Sequence, residues 1–462
     1  MYLKHSISIS SQDISHIYSD KHFCQDIILK THKHNTSALY SSRIITMPLR
    51  EQQDQPPLSV LLSLIDALMR KSDYSLISMR ILHVTPYFPP TWAYGGIPRI
   101  VDGLARAQQE LGASIQVLTT DAYDHQNRSG QDFVRDYHGI AVYTLPNLSN
   151  RLAYHHQLFL PLLWKRLERI LPSFDIIHLH GHRHLLNNLA VRWAQKKQTP
   201  YVITTNGTLE RYEQKERLKQ LWDFCIAGSV PFGAARCIAV SRSDLGIHHR
   251  WGIDPAKTAL IPNGLDLGEF SRLPERGYWR TKLKVADKLI VYLGRISPRK
   301  GVDHLIQAFQ HKHRPHTSLA IAGNDMGGLE KAQELATNPR VHFLGTLGGE
   351  ERLQLLVDAD ILVYASEKEI FGLVPFEGLL TGSPVIVSDD CGCGQLISDA
   401  GAGLLVRYGD IEGLSNRIDS LLYDDTLSQA IVNRGKKYIE QRLSFTTIAQ
   451  QHLQLYQSIL RE

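Results

Sequence analysis

The sequence predicts an α/β protein made of two Rossmann-like domains that face each other across a cleft, with a C-terminal helix crossing back to the first domain. Three observations carry this prediction. From residue 80 onward, short apolar runs alternate with amphipathic helical patterns, which is how βαβ units and parallel sheets read in sequence. The alternation halts in a stretch rich in charge, Gly and Pro (264–286), then restarts over a similar length. At 462 residues the chain is long enough for two or three ordinary domains. The boundaries expected are an extension (1–78), a first domain (79–265), a second domain (266–443) and a final helical segment (444–462).

In order, RILHVTP (80–86) reads as a buried strand and 98–112 as an amphipathic helix ending at Gly112. SIQVLTT (114–120) is a strand, 153–171 a longer helix, and FDIIHLH (174–180) a strand. A helix near 185–197, the strand YVITT (201–205), a helix near 212–228 and the strands RCIAV (236–240) and TALIPN (258–263) complete the first unit. The second opens with the strand KLIVYLGR (288–295) and the helix 301–310. SLAIAG (318–323), VHFLG (341–345), ILVYA (361–365), PVIVS (384–388) and GLLV (403–406) follow as strands with helices between them. Three helices close the chain, at 410–423, 426–441 and 444–460.

Composition narrows the function classes. No run of 18 apolar residues marks a spanning helix, and the first 20 residues lack a signal-peptide core. Five cysteines form no regular framework, which fits free thiols in the cytoplasm. Residues 79–265 carry 21 Lys/Arg against 14 Asp/Glu, whereas 266–462 carry 22 against 25. The basic half suits an anionic or phosphorylated partner, or is an ordinary solvated surface. Residues 1–78 show no sustained periodicity. Either translation begins at Met79, or these residues form a disordered extension.

The chemistry concentrates where strands end. EKEIFGLVPFEG (367–378) follows the strand ILVYA and opens a helix with Pro375 in its first turn. Ligands of open α/β sheets sit at the carboxyl ends of strands. The N–H groups of Gly372, Leu373 and Val374 at a helix start therefore form a phosphate site, flanked by Glu369 and Glu377 as acceptors for hydroxyls. GRISPRKG (294–301) sets Arg295 and Lys300 on another strand–loop–helix junction, where two cations suit a diphosphate. Gly95 and Gly96 precede a helix and permit close backbone approach to a ligand.

These motifs identify residues 79–462 as similar to a retaining glycosyltransferase of the GT-B fold, in family 4 (glycosyl transferases group 1). The matching elements are Gly95-Gly96, HLHGH (178–182), IPNGLD (261–266), the Arg295/Lys300 pair and E-x7-E from Glu369 to Glu377, in the family's order. The resemblance implies a nucleoside-diphosphate sugar as donor and co-substrate, with no cofactor and no metal. It implies Arg295 and Lys300 against the leaving diphosphate, Glu369 and His180 near the donor sugar, Glu377 on the ribose and Gly96 near the donor phosphate. Gly95, Asn263, Phe371, Gly372, Leu373 and Val374 complete the expected donor-binding set. The expected acceptor is a hydroxyl on a glycan or lipid-linked glycan in surface polysaccharide biosynthesis, and no nucleic acid is expected. The chain departs from the family at Asn206, where many relatives have His, and at Gln395, where an acid is common.

Other readings stand beside these. The four histidines of HLHGHRH (178–184) invite a metal, but they would point one way only on a continuing strand, and Gly181 suggests it ends. Cys391 and Cys393 read as small residues in a glycine loop, and Asp358 and Asp360 as a helix end or surface. HHQLFLPLLWKRLERIL (155–171) is a core helix with a basic outer face, or a peripheral contact with the inner face of an anionic membrane. The alternatives to a transferase are a sugar-nucleotide epimerase on the same fold and a non-catalytic nucleotide-sugar-binding subunit.

Overall fold

A computed structural model describes residues 79–91, 95–124, 126–156, 158–210, 222–223, 228–285 and 287–462. The extension, and most of the helix expected near 212–228, lie outside these residues. The first sheet is built from β1 (Arg80–Val84), β2 (Ser114–Thr120), β3 (Val134–Tyr137), β4 (Ile140–Leu145), β5 (Ile176–His180), β6 (Tyr201–Thr204), β7 (Arg236–Ala239) and β8 (Thr258–Leu260). Their order is β3-β4-β2-β1-β5-β6-β7-β8. Every pairing is parallel except β3 with β4. The apolar runs of β1, β5 and β6 are buried on both faces because helices cover both sides.

The second sheet is built from β9 (Lys288–Leu293), β10 (Thr317–Ala322), β11 (Val341–Gly345), β12 (Ile361–Tyr364), β13 (Val385–Ser388) and β14 (Leu404–Val406). It is fully parallel, in the order β11-β10-β9-β12-β13-β14. Counted from its own first strand this is 3-2-1-4-5-6, the doubly wound dinucleotide-domain order, with the direction of winding reversing between β9 and β12. In the first sheet the corresponding reversal lies between β1 and β5. These two crevices are where ligands are expected.

The chain returns to the first sheet at its end. Leu265 N–H donates to the Leu443 carbonyl at 2.7 Å, and Phe445 N–H donates to the Leu265 carbonyl at 3.2 Å. The helix Phe445–Arg461 then packs on the helix Gly96–Glu110, burying Ile448, Leu453 and Tyr456 in the core behind β1 and β2. A Cβ at Gly103 would lie 2.0 Å from the Phe445 ring, and one at Gly264 would lie 2.4 Å from it. Phe445 therefore fills a slot that only glycine walls leave open.

Three expectations change. The single helix at 153–171 is two, Asn150–His156 and Trp164–Ile170. Between them Pro161 bridges to Asn147 and Leu163 is left-handed, because proline cannot continue the helical hydrogen bonds. The β3–β4 hairpin edge went unread in the sequence, as did the helix Arg242–Arg250, which Ser241 caps by accepting from Asp244 N–H. Asp358 ends the helix Gly349–Asp358, as one of the two readings had it, but neither it nor Asp360 is a surface residue. Asp358 is fully buried and accepts from the N–H groups of Gly277 and Trp279, and Asp360 pairs with Arg276 and Arg280. Together they fasten the linker to the second sheet.

Candidate functional site

At the second crevice, β9 and β12 end side by side. The turn after β9 carries Arg295, which is exposed, and Lys300, whose ammonium is ion-paired with Glu369 from the loop after β12. The Tyr364 hydroxyl, at the end of β12, lies 2.9 Å from the Glu369 carboxylate and 3.2 Å from Lys300 Nζ. Burial alone would raise the Glu369 pKa; the Lys300 charge and the Lys300 and Tyr364 hydrogen bonds, helped by Arg295, bring it below its ordinary value. Glu369 is therefore a carboxylate held for its charge. Tyr364 is pushed well above the usual phenol range by burial and by the same carboxylate, so it remains a neutral donor.

The loop from Glu369 to Leu373 makes a tight approach. Gly372 has φ +72°, and a Cβ there would lie 3.1 Å from Cys393 Sγ and 3.2 Å from Tyr364. Glycine meets both the conformation and the space. The helix Val374–Thr381 starts immediately after, with Leu373 as its N-cap. Its first turn points N–H groups and the positive dipole end at the crevice shared with Lys300. A Cβ at Gly96 of the first domain would lie 3.4 Å from Leu373, and one at Gly207 would lie 2.3 Å from Ile370, so this loop packs against both glycine turns of the first domain. Gly392 N–H donates to the Glu369 carbonyl at 2.7 Å, and Cys391 caps the helix Gly392–Ala400 by accepting from Gly394 N–H.

Glu377 has a different set of partners. It is 5% exposed and paired with two arginines: Arg99, at 3.1 Å from the helix Gly96–Glu110, and Arg352, from the helix Gly349–Asp358. Glu269, in the linker, pairs with the same two arginines. Each acid flanking the helix start is thus paired with its own cations. Arg99, Arg352, Glu269 and Tyr364 went unrecognised in the sequence. Arg99 sits one turn after Gly95-Gly96, and that position was the only hint.

The first crevice holds Gly95, at φ +90° with open space beside it, and Gly96, which begins the helix. His180 ends β5 and is 2% exposed. It lines a small cavity together with Asn263, Thr204 and His452. Phe371 is corrected in kind: its ring is buried in the core of the second domain against Phe376, so only its backbone reaches the loop surface. Asn206, in a left-handed turn after β6, has both side-chain amide atoms buried and unpaired among the described residues, a polar group with capacity for a ligand.

The histidines diverge once β5 ends. His182 approaches Asp223 at 3.4 Å, and His184 packs on Tyr87 and Phe159. His178 and His180 instead meet His83 of β1, one ring nitrogen from each of the three lying within 4.8 Å of the others. Both ring nitrogens of His83 and both of His178 are within hydrogen-bond distance of side-chain partners. The set reads as a hydrogen-bonded cluster rather than three open metal ligands.

Two family descriptions match the chain. Glycosyltransferase Family 4 covers residues 94–269, and Glycosyl transferases group 1 covers 278–438. The boundary between them falls in the linker. A GDP-mannose:cellobiosyl-diphosphopolyprenol alpha-mannosyltransferase of Xanthomonas oryzae pv. oryzae is 28% identical over 373 residues, covering 77% of this chain and 93% of its own. Sucrose-phosphate synthase from Thermosynechococcus elongatus superposes with a TM-score of 0.66 at 21% identity, over 83% of this chain and 99% of that one. Anabaena HepE in complex with UDP and glucose superposes with a TM-score of 0.63 at 21% identity, over 82% of this chain and 100% of that one.

Proposed function

The chain belongs to the family 4, group 1 glycosyltransferases of GT-B fold, and from that premise we propose that it moves a sugar from a nucleoside-diphosphate donor to a hydroxyl of a glycan or lipid-linked acceptor. Transfer would retain the anomeric configuration and need no metal. The observation that carries this reading is the convergence at the β9/β12 crevice. Lys300, exposed Arg295 and the N-terminus of the helix Val374–Thr381 meet there beside a glycine that lets a ligand approach the backbone.

The steps follow from charge. Arg295 and Lys300 neutralise the diphosphate as the bond from the sugar's anomeric carbon to the phosphate oxygen lengthens, and the helix N–H groups hold the departing oxygens. The acceptor oxygen bonds to the anomeric carbon on the face the diphosphate leaves. Its proton passes to the departing phosphate oxygen, so the step closes without an outside base or metal. Glu377 takes the ribose hydroxyls by exchanging one of its arginine contacts for them. His180 meets a hydroxyl of the sugar from the opposite crevice. Holding both substrates in register supplies most of the acceleration.

A lipid-linked acceptor is favoured by one surface. Leu162, Leu163 and Ile170 are exposed beside Lys165, Arg166 and Arg169, an apolar edge with a basic flank suited to the inner face of an anionic membrane. The Xanthomonas relative is named for a diphosphopolyprenol acceptor. Among the described residues no helix is long and apolar enough to cross a membrane, so attachment would be peripheral.

The test is a screen of UDP-, GDP-, ADP- and dTDP-sugars by thermal shift, followed by assay of diphosphate release. One donor should raise the melting temperature, and the shift should vanish in Glu377→Ala. A monosaccharide of inverted configuration at a ring carbon, formed without acceptor, would make the protein an epimerase. Binding without release under any acceptor would make it a non-catalytic subunit. Vesicles containing anionic lipid should sediment the protein at low salt and release it at high salt; no binding at low salt would remove the membrane surface from the proposal.

A further inference from the structure

Behind the first crevice lies a chain of polar side chains of which the proposed chemistry uses only His180. His83 and His178 are register partners on β1 and β5, and His180 and Thr204 are partners on β5 and β6. The histidines and Thr204 meet two residues from the covering helices, Gln108 and Tyr456, and all six are buried. His83 Nε2 lies 2.7 Å from Gln108 Oε1, and His83 Nδ1 lies 2.9 Å from His180 Nε2. Gln108 Nε2 donates to the Tyr456 hydroxyl at 3.5 Å. That hydroxyl is 2.7 Å from His178 Nδ1, and His178 Nε2 is 2.7 Å from Thr204 Oγ1.

The proton positions follow from the amide. A carbonyl oxygen only accepts, so His83 carries its proton on Nε2. Burial keeps His83 neutral, with its pKa lowered to about 4, so Nδ1 is a bare lone pair. His180 must then donate from Nε2. It too is held neutral, by burial first and by the neighbouring histidines second, so its own Nδ1 is bare. That Nδ1 is buried and has no partner among the described residues. On the other arm the Tyr456 hydroxyl donates to His178 Nδ1, and His178 donates from Nε2 to Thr204. Turning the Gln108 amide over would reverse every bond in the chain and make His180 Nδ1 a donor.

We propose that Gln108 and His83 are positioning residues whose hydrogen bonds fix His180 as a hydrogen-bond acceptor, ready for a hydroxyl of the donor sugar. This rests on the transferase reading for the identity of the hydroxyl, but not for the proton pattern. An acceptor at this point requires a hydroxyl that donates, which selects the orientation of a sugar O–H rather than only its position. The rings of His83 and His180 meet edge to edge through this hydrogen bond, 23° from parallel with centroids 5.2 Å apart, which holds the His180 ring in this orientation.

Histidine-selective 15N labelling of the full chain, read by long-range proton–nitrogen spectra without substrate, decides it. His83 and His180 should both appear as Nε2–H tautomers at pH 7, assigned through His83→Asn and His180→Asn. In Gln108→Met the His83 preference should be lost, and donor turnover should fall about tenfold in kcat with KM nearly unchanged, the loss of about one hydrogen bond. Gln108→Glu keeps an acceptor oxygen in place and should restore the tautomers. A proton on Nδ1 of His180 in the unmodified protein would overturn the proposal, even if Gln108→Met failed to fold. Unchanged tautomers in Gln108→Met would overturn it as well, as would stoichiometric zinc on these rings. Inactivity with every donor, beside the expected tautomers, would instead count against the transferase reading alone.

Discussion

Lys300→Met isolates what holds the acid at the second crevice. The wild-type pair has side chains 12% and 19% exposed, and the Tyr364 hydroxyl contacts both partners. Breaking a buried pair while leaving one charge behind costs about 3–5 kcal/mol, and partial exposure to water brings this to about 2–3 kcal/mol here. Glu369→Gln in the Lys300→Met background removes the stranded charge and should recover at least about 1 kcal/mol, which makes the two substitutions non-additive. The cost should also depend on pH. In the wild type the folded pKa of Glu369 lies below its ordinary value of 4.5, so its contribution is present above that value and lost as pH falls through the folded one. Without Lys300, burial dominates and the folded pKa rises above the ordinary value. The contribution then changes sign, favouring the fold at low pH and opposing it as pH rises. Urea unfolding at about pH 4.5 and pH 7.5 should therefore show a larger gap between wild type and Lys300→Met at the higher pH. An equal gap at both pH values, or simple additivity with Glu369→Gln, would refute the account of a carboxylate stranded by losing its ammonium.

Gly103→Ala should destabilise by about 1–3 kcal/mol by driving a Cβ into the Phe445 ring, yet stabilise in a Phe445→Ala background, where helix propensity alone remains; paired thermal melts would show the change of sign. Asp244 is buried and its carboxyl is pushed up to about 6, burial being the main cause. Its contribution to stability is therefore present below its ordinary value of 3.8 and lost as pH rises through about 6. Asp244→Asn should gain on the wild type between pH 4 and pH 7 in melting temperature, and a gap that shrinks over that range would contradict the burial argument. Arg99→Ala removes a 38%-exposed arginine from Glu377 and should cost no more than about 1 kcal/mol, vanishing in high salt. It should leave donor affinity unchanged or improved, since Glu377 then has one fewer competitor, and a tenfold weaker donor shift would make Arg99 part of the donor site.

The strands were legible because a doubly covered sheet demands continuous apolar runs, and most boundaries fell within one or two residues of their places. Val134–Tyr137 was not, because an antiparallel edge strand faces solvent and VRDY carries no apolar signature. The Arg242–Arg250 helix was hidden by its polar composition, although Ser241 and Asp244 formed a readable cap. Lys300 and Glu369 were legible as positions in loops that follow strands, and Glu377 as a position in the first turn of the next helix. Their partners were not. Tyr364 looked like the last residue of an apolar run, and Arg352 looked like a charge on an ordinary helix. His83 was a lone histidine in a strand until β5 brought His178 beside it. Such contacts exist only after the sheet order is fixed, and single-sequence periodicity does not supply that order.

The pairing of each acid with its own cations resolves the apparent conflict of carboxylates beside an anion site. Glu369 already holds Lys300 at the β9/β12 reversal, so the ammonium is placed and oriented before any diphosphate arrives. In the proposed reaction a phosphate entering there would meet Arg295 first, since that side chain is exposed. Lys300 comes second, shared between a carboxylate and the newcomer. An ammonium has three donors and already spends two, on Glu369 and Tyr364, so one remains for a phosphate oxygen without breaking either contact. A fixed dipole of this kind stabilises charge as it develops without rearranging at the moment of reaction, which favours the departing diphosphate over the intact donor. The acid is thus the support that makes the cation useful, and its removal should be felt most at the transition state.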